Sequence, residues 1–166
     1  MKKSFVFLFL SLLLLYSVAW AVDLNAPAEK KVTVGSEISR GTSAMIDAAA
    51  TIKGTNQLGL LQAIDKVFHR NQQANTDTQA FRLGASLAAW SLLDIRLNLA
   101  AENPNSMFFP AGEMQLIEDN AKYYFKEVRK IQKELNIDDQ TLIQATPYKP
   151  DLLKAKLYRW DKRVNK

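Results

Sequence analysis

The sequence of 166 residues contains no cysteine and a single histidine, His69. Without cysteine the protein forms no disulfide and has no thiol chemistry. Zinc sites are built mainly from cysteine and histidine, and di-iron helical bundles need Glu-x-x-His motifs on two helices. The chain cannot supply either set of ligands, so we expect no metal and no other cofactor.

The common catalytic motifs are also missing. No serine lies in a Gly-x-Ser-x-Gly sequence, there is no glycine-rich phosphate loop, and a Ser-His-Asp triad would depend on His69. Catalysis would have to rely on arginine, lysine and carboxylate side chains alone. The sequence therefore favours a non-catalytic protein.

The N-terminus has the order of segments that is typical of a secretory signal peptide. Two lysines precede an apolar run from Phe5 to Tyr16, and the small-x-small sequence Ala19-Trp20-Ala21 follows. The run is shorter than the ~20 apolar residues of a membrane-spanning helix. We predict that residues 1–21 are a signal peptide cleaved after Ala21 and that the protein is periplasmic; the alternative is an uncleaved anchor. Residues 22–35 lack periodicity and are interpreted as a mobile leader.

A central helix is predicted at about residues 77–102. From Phe81 to Ala101, 14 of 21 residues are apolar, and they fall on two faces of a helix. A helix that is apolar on two faces has to be covered on both. Arg82, Asp94 and Arg96 argue against a bilayer location, because each charge costs about 2.5–3.5 kcal/mol at a membrane centre.

Amphipathic helices are predicted around this segment. One begins after Ser36, and a second carries a stripe made of Leu58, Leu61, Ile64 and Phe68. A helix after Pro110 has apolar residues spaced alternately by three and four, as in coiled coils. We therefore predict an all-α fold, a compact bundle of about five helices at residues 36–148. The seam of the helix after Pro110 consists of Met114, Ile117, Ala121, Tyr124, Val128, Ile131 and Leu135.

The formal charge of +5 is concentrated in the C-terminal tail. Residues 149–166 hold 7 basic and 2 acidic residues, whereas residues 22–148 have a net charge of −2. A nucleic-acid-binding domain should carry a basic surface on its folded body, so nucleic acid is not an expected partner. The tail is predicted to be a basic amphipathic helix, either packed on the bundle or appended to it. If appended, it would bind an acidic partner or anionic lipid through Lys154, Lys156, Arg159, Trp160, Lys162 and Arg163.

Asp94 and its neighbours are the candidate ligand-binding residues. Asp94 lies on an apolar face near Trp90, where an unpaired carboxylate would be costly. It either pairs with a cation from another helix or lines a pocket with Trp90 and binds a ligand. Arg82 and Arg96 share a second stripe with Ser86, which makes them a candidate anion site.

Three function classes follow from these patterns. The favoured one is an exported interaction or accessory protein that binds a protein partner, with a homodimer through an exposed helix seam as one form of partner. The second is a bundle that carries a small or lipidic ligand beside Trp90 and Asp94. The third is a small all-α enzyme that holds an anionic metabolite through Arg82 and Arg96.

Overall fold

The computed structural model describes residues 32–52, 56–74, 76 and 78–165. The predicted signal peptide, residues 1–21, and most of the predicted leader lie outside the described residues. The described part contains six helices packed against one another, which confirms the predicted all-α bundle. The helices are α1 (Val34–Ala50), α2 (Gln57–Gln73), α3 (Gln79–Glu102), α4 (Ala111–Leu135), α5 (Asp139–Gln144) and α6 (Pro150–Val164).

The first helix begins two residues earlier than the predicted start of the bundle at residue 36. Thr33 is the N-cap of α1, and Ser36 is the third helical residue rather than the cap. The two residues bond reciprocally, because the Ser36 amide donates to the Thr33 hydroxyl at 3.1 Å and the Thr33 amide donates to the Ser36 hydroxyl at 3.0 Å. This capping box satisfies two backbone donors that the helix itself leaves unpaired.

The predicted central helix is α3, and it is the core of the bundle. Every residue from Leu83 to Ser91 is buried. Helix α1 covers one side of α3 and α4 covers the other, so both apolar faces are removed from water up to Leu93. Towards the C-terminal end of α3 the cover stops, and Ile95 and Leu99 are 44% and 38% exposed. Thr78 caps α3, which places its first residue at Gln79 rather than at about residue 77.

Two glycines allow α1 to pack closely against α3. A Cβ atom on Gly84 would lie 1.9 Å from the carbonyl oxygen of Ile38, and one on Gly41 would lie 2.1 Å from the carbonyl oxygen of Phe81. Both distances are to backbone atoms, which a rotamer change cannot move. The Thr42 hydroxyl joins the helices further, donating to the carbonyl of Ile38 at 2.9 Å and of Gly84 at 3.3 Å.

The seam of α4 is used inside the chain. Its residues Ile117, Ala121, Val128 and Ile131 are buried, and the remaining three are partly buried. The seam is therefore not exposed, because it covers the second apolar face of α3, and a homodimer stays a prediction. The stripe predicted for α2 is also wrong at one position, since Leu58 is 46% exposed. The buried residues of that helix include Leu60, Ile64 and Val67.

Candidate functional site

Asp94 lies at the centre of a polar contact between α3 and α6. Its side chain is 1% exposed. Arg159 donates to both carboxylate oxygens at 2.9 and 3.0 Å, and the indole nitrogen of Trp160 donates to one of them at 2.8 Å. The ammonium of Lys156 lies 3.1 Å away and the amide of Asn98 3.3 Å away. These donors compensate for the loss of hydration that burial imposes on a carboxylate.

An aromatic cluster beside this carboxylate holds the apolar side of α6. Trp160 is fully buried and packs edge-on against Trp90, with ring centroids 6.0 Å apart. It also contacts Phe125 in a tilted arrangement, with centroids 5.8 Å apart. Leu153 and Leu157 are also buried. The indole nitrogen of Trp90 has no acceptor in the described part of the protein. The last helix is therefore docked on the bundle by apolar contacts that surround a charged centre.

The Arg129 guanidinium links α4 to both α5 and α6. It forms ion pairs with Asp139 and Asp161, and its Nε donates to Asp161 at 2.9 Å. Burial lowers the pKa of Arg129, but the hydrogen bonds to Asp161 and Asp139 raise it more, so the group stays charged. Burial raises the pKa of Asp139, and the bonds from Arg129 and Gln132 bring it below its usual value.

A second ion pair ties the end of α6 to α4. Arg163 donates to the carboxylate of Glu118 at 2.8 Å, and Lys122 lies 3.1 Å from the same carboxylate. The hydrogen bonds from Arg163 and Lys122 lower the pKa of Glu118. The acidic bundle and the basic tail are thus electrostatic partners within one chain.

The six predicted tail residues fall into two groups. Lys154 is exposed, and Lys162 lies over the ring of Tyr158 at 4.3 Å. Their role toward lipid or a partner stays a prediction, as it does for the other four. The four that contact the bundle are Lys156, Arg159, Trp160 and Arg163.

The predicted ligand-binding residues do not converge on one place. Trp90 and Asp94 both contact Trp160, and the charged groups of α6 occupy the Asp94 carboxylate. Arg82 lines a small cleft, whereas Arg96 is not among the residues that line it. The ligand-binding roles of these four residues stay predictions.

A groove that the sequence did not reveal lies between α1 and α2. It is open to solvent and has a volume of about 650 Å³. Its α1 wall includes Ala44 and Ala48, one turn apart, and its α2 wall includes Gly59 and Ala63. Alanine is common both in cores and on surfaces, so this spacing gave no clear signal. The other lining residues are Asp47, Thr51, Ile52, Asn56, Gln62, Lys66, Val67, Arg70 and Asn71.

Three charged residues of this groove lack, within the described part of the chain, the ion-pair partner that Lys156 and Arg159 of α6 have. Asp47 lies on the α1 wall, and Lys66 and Arg70 lie one turn apart on the α2 wall. All three are exposed. Within the described residues, none of them forms an ion pair or a side-chain hydrogen bond. The groove therefore has small residues in its walls and charges that have no partner in the described part of the chain.

Neither a metal centre nor a known relative assigns a function to these surfaces. Among the residues that the structure describes, no three His, Asp or Glu side chains are grouped so as to hold a metal ion. None of the described helices is both long enough and apolar enough to cross a membrane. The chain matches no protein-family model, no curated protein and no solved structure.

Proposed function

We propose that the protein is a non-catalytic interaction protein that holds a helical segment of a protein partner in the groove between α1 and α2. We also propose that it is exported to the periplasm after cleavage behind Ala21, on the strength of the order of segments at its N-terminus. The observation that carries the binding proposal is the open groove with small residues in both walls.

The walls of the groove suit a helix because they leave room for one. Helices pack with axes about 8–10 Å apart, and the shorter distances require small side chains at the contact. Ala44, Ala48, Gly59 and Ala63 provide such positions. From Gly59 to Asn71 the α2 wall extends about 18 Å, at 1.5 Å per residue, which matches about three turns of a bound helix. Recognition of an amphipathic helix in a groove is a common binding mode.

The wall of α1 is firmly held, which favours a preformed site. Gly41 and Gly84 bring the backbones of α1 and α3 into contact. Arg40 bonds Glu37 within α1 and also donates to the carbonyl of Thr76 at 2.7 Å, which joins α1 to the segment before α3. A preformed groove loses little conformational entropy when a partner binds. Asp47, Lys66 and Arg70 would add charge complementarity, which improves specificity more than affinity.

A second candidate function uses the same groove for a small or lipidic ligand. The volume of about 650 Å³ falls within the range of roughly 300–1,000 Å³ that is usual for small-molecule sites. An apolar chain would lie along Ala48, Ala63 and Val67, and an acidic head group would reach Lys66 or Arg70.

One experiment tests both candidates. A photo-crosslinking amino acid is placed at Gln62 in the groove or, as a matched control, at exposed Gln140 of α5. Each form is expressed in the source cells with Ala48→Arg, which blocks the groove, or with Ala155→Arg, the same change at an exposed position of α6. Crosslinked species are identified by mass spectrometry.

The outcomes separate partner, ligand and neither. A protein joined at Gln62 but not at Gln140, lost with Ala48→Arg and retained with Ala155→Arg, supports the interaction protein. A small mass with the same dependence supports the carrier. Crosslinks that are equal at the two positions, or that survive Ala48→Arg, overturn both.

A further inference from the structure

A small cleft separate from the groove lies where α2, α3 and α4 meet. Its volume is about 190 Å³ and it opens to solvent. At about 30 Å³ per water molecule in the liquid, this space holds roughly six waters. It therefore fits a compact molecule of a few heavy atoms and is too small for a peptide helix. The cleft is lined by Asp65, Phe68, Arg82, Ser86, Tyr123, Tyr124, Glu127 and Ile131.

One part of the cleft is aromatic. The rings of Phe68 and Tyr124 are stacked with centroids 5.6 Å apart and planes 8° apart, and Tyr123 contacts Tyr124 edge-on at 5.1 Å. Burial, together with Tyr123 and Asp65, raises the pKa of Tyr124 to about 12. The Tyr124 phenol is therefore neutral at physiological pH. Aromatic ring faces carry negative electrostatic potential and attract organic cations.

The charged residues of the cleft also favour a cationic ligand. Asp65 and Glu127 contribute two carboxylates against the single guanidinium of Arg82, which already makes contacts of its own within the protein. The ammonium of Lys130 lies 3.7 Å from Glu127, but its side chain is 61% exposed, so solvent screens its charge strongly. The buried side chain of Ser86, 3% exposed, adds a polar group that can both donate and accept a hydrogen bond.

These three properties select one class of ligand. We propose that the cleft binds a small primary ammonium compound, whose charged nitrogen is held by Asp65 and Glu127 and whose carbon atoms contact the ring faces of Phe68 and Tyr124. Such a nitrogen has three hydrogen-bond donors, as the ammonium of lysine has, and carboxylates are its natural acceptors. A simple amine and a small α-amino acid share this group. In an amino acid, the ligand carboxylate would lie toward Arg82 and Ser86.

The probes are n-propylammonium, L-alanine and propionate, which carry respectively an ammonium, both charged groups and only a carboxylate. Binding to the full folded chain is followed by ¹H–¹⁵N NMR, which locates the affected amides, and by calorimetry. The test variant combines Asp65→Asn with Glu127→Gln. The matched control is Asp119→Asn, which neutralises an exposed carboxylate of α4 that does not line the cleft.

The proposal expects shifts at Phe68, Ser86 and Tyr124 with an ammonium probe and none with propionate. Each lost carboxylate should weaken binding about tenfold, as expected for a hydrogen bond to a charged group, while Asp119→Asn leaves binding unchanged. Binding of alanine but not of n-propylammonium identifies the ligand as an amino acid, and binding of n-propylammonium shows that the ammonium group suffices for binding without a ligand carboxylate. The proposal is overturned if neither ammonium probe shifts these amides, if propionate does so equally, or if the double variant binds as well as the control.

Discussion

The contact of α6 with α3 and the groove between α1 and α2 show two different uses of similar residues. Both surfaces combine apolar side chains with charged residues. At the first, the last helix fills the space, and Lys156 and Arg159 pair with buried Asp94. At the second, the space is open, and Lys66 and Arg70 have no partner among the described residues. The two surfaces therefore differ in how their charges are satisfied: those of Lys156 and Arg159 are paired within the chain, whereas Lys66 and Arg70 are exposed to solvent.

The largest expected effect on stability comes from removing the Asp94 carboxylate at the contact between α3 and α6. Asp94→Ala leaves the indole nitrogen of Trp160 and two cations without their carboxylate. Breaking a buried charge pair costs about 3–5 kcal/mol, and we expect the lower end because the Arg159 side chain is 53% exposed. Urea denaturation measures the free energy of unfolding. Asp119→Ala, at an exposed acid of α4, is the control and should change it by less than about 0.5 kcal/mol. Equal losses in the two variants would show that Asp94 does not hold α6.

The next effect concerns the rigidity of the open groove. Gly41→Ala places a Cβ atom 2.1 Å from the carbonyl oxygen of Phe81, so α1 must move away from α3. Overpacking of this kind costs about 1–3 kcal/mol. Gly35→Ala in the same helix has no heavy atom within 4 Å of the new Cβ and should not destabilise the protein. The melting temperatures of Gly41→Ala and Gly35→Ala are compared by thermal unfolding. Similar melting temperatures would mean that α1 is not fixed against α3.

A smaller effect is the pH dependence of the ion pair that joins the end of α6 to α4. The pKa of Glu118 in the folded protein is depressed below 4.5 by Arg163 and Lys122. The resulting stabilisation is present above pH 4.5 and is lost as the pH falls through the lower pKa of the folded state. Because the Arg163 and Glu118 side chains are 42% and 28% exposed, solvent screens the pair and it contributes about 0–1 kcal/mol. We expect Glu118→Gln to be less stable than the unmodified protein at neutral pH and equal to it in acid. Urea titrations over this pH range provide the measurement, and a constant difference would contradict the ion pair.

The smallest effect is expected at the open groove itself. Ala48→Leu adds side-chain volume where the groove has room, so the free energy of unfolding should change by less than about 0.5 kcal/mol. Ala88→Leu makes the same change at a fully buried position of α3 and should cost about 1–3 kcal/mol. Chemical denaturation measures the free energy of unfolding of both variants. A large loss of stability with Ala48→Leu would mean that the groove is closed in solution.

The sequence predicted those parts of the fold in which one pattern had one physical solution. A helix apolar on two faces has to be central, and α3 is. Helix α2 shows the opposite case, because the stripe through Leu58 and the stripe through Leu60 both fit a helical period. The rotation of α2 about its axis decides between them, and tertiary packing sets that rotation.

The candidate sites were predictable only in part for a similar reason. The cost of burying an unpaired carboxylate indicated that Asp94 either pairs or binds a ligand, and pairing with a cation from another helix was one of these two readings. The partners of Asp94 come from α6, more than sixty residues away along the chain. Long-range packing decides this choice of helix, and the sequence pattern does not show it. The groove exists because no described residue fills the space beside Ala44 and Ala48, and no sequence period encodes an unfilled space.

The two tryptophans of the described part give α6 an optical signature. Trp90 and Trp160 are both buried with rings 6.0 Å apart, but only the Trp160 indole nitrogen is bonded, and its acceptor is a carboxylate. If α6 detached, Trp160 would enter water and Trp90 would lose its neighbour. Fluorescence emission should then shift to longer wavelength. In the form without residues 1–21, which has no other tryptophan, the intrinsic emission thereby reports on one helix, and the docking of α6 can be followed in real time without any label.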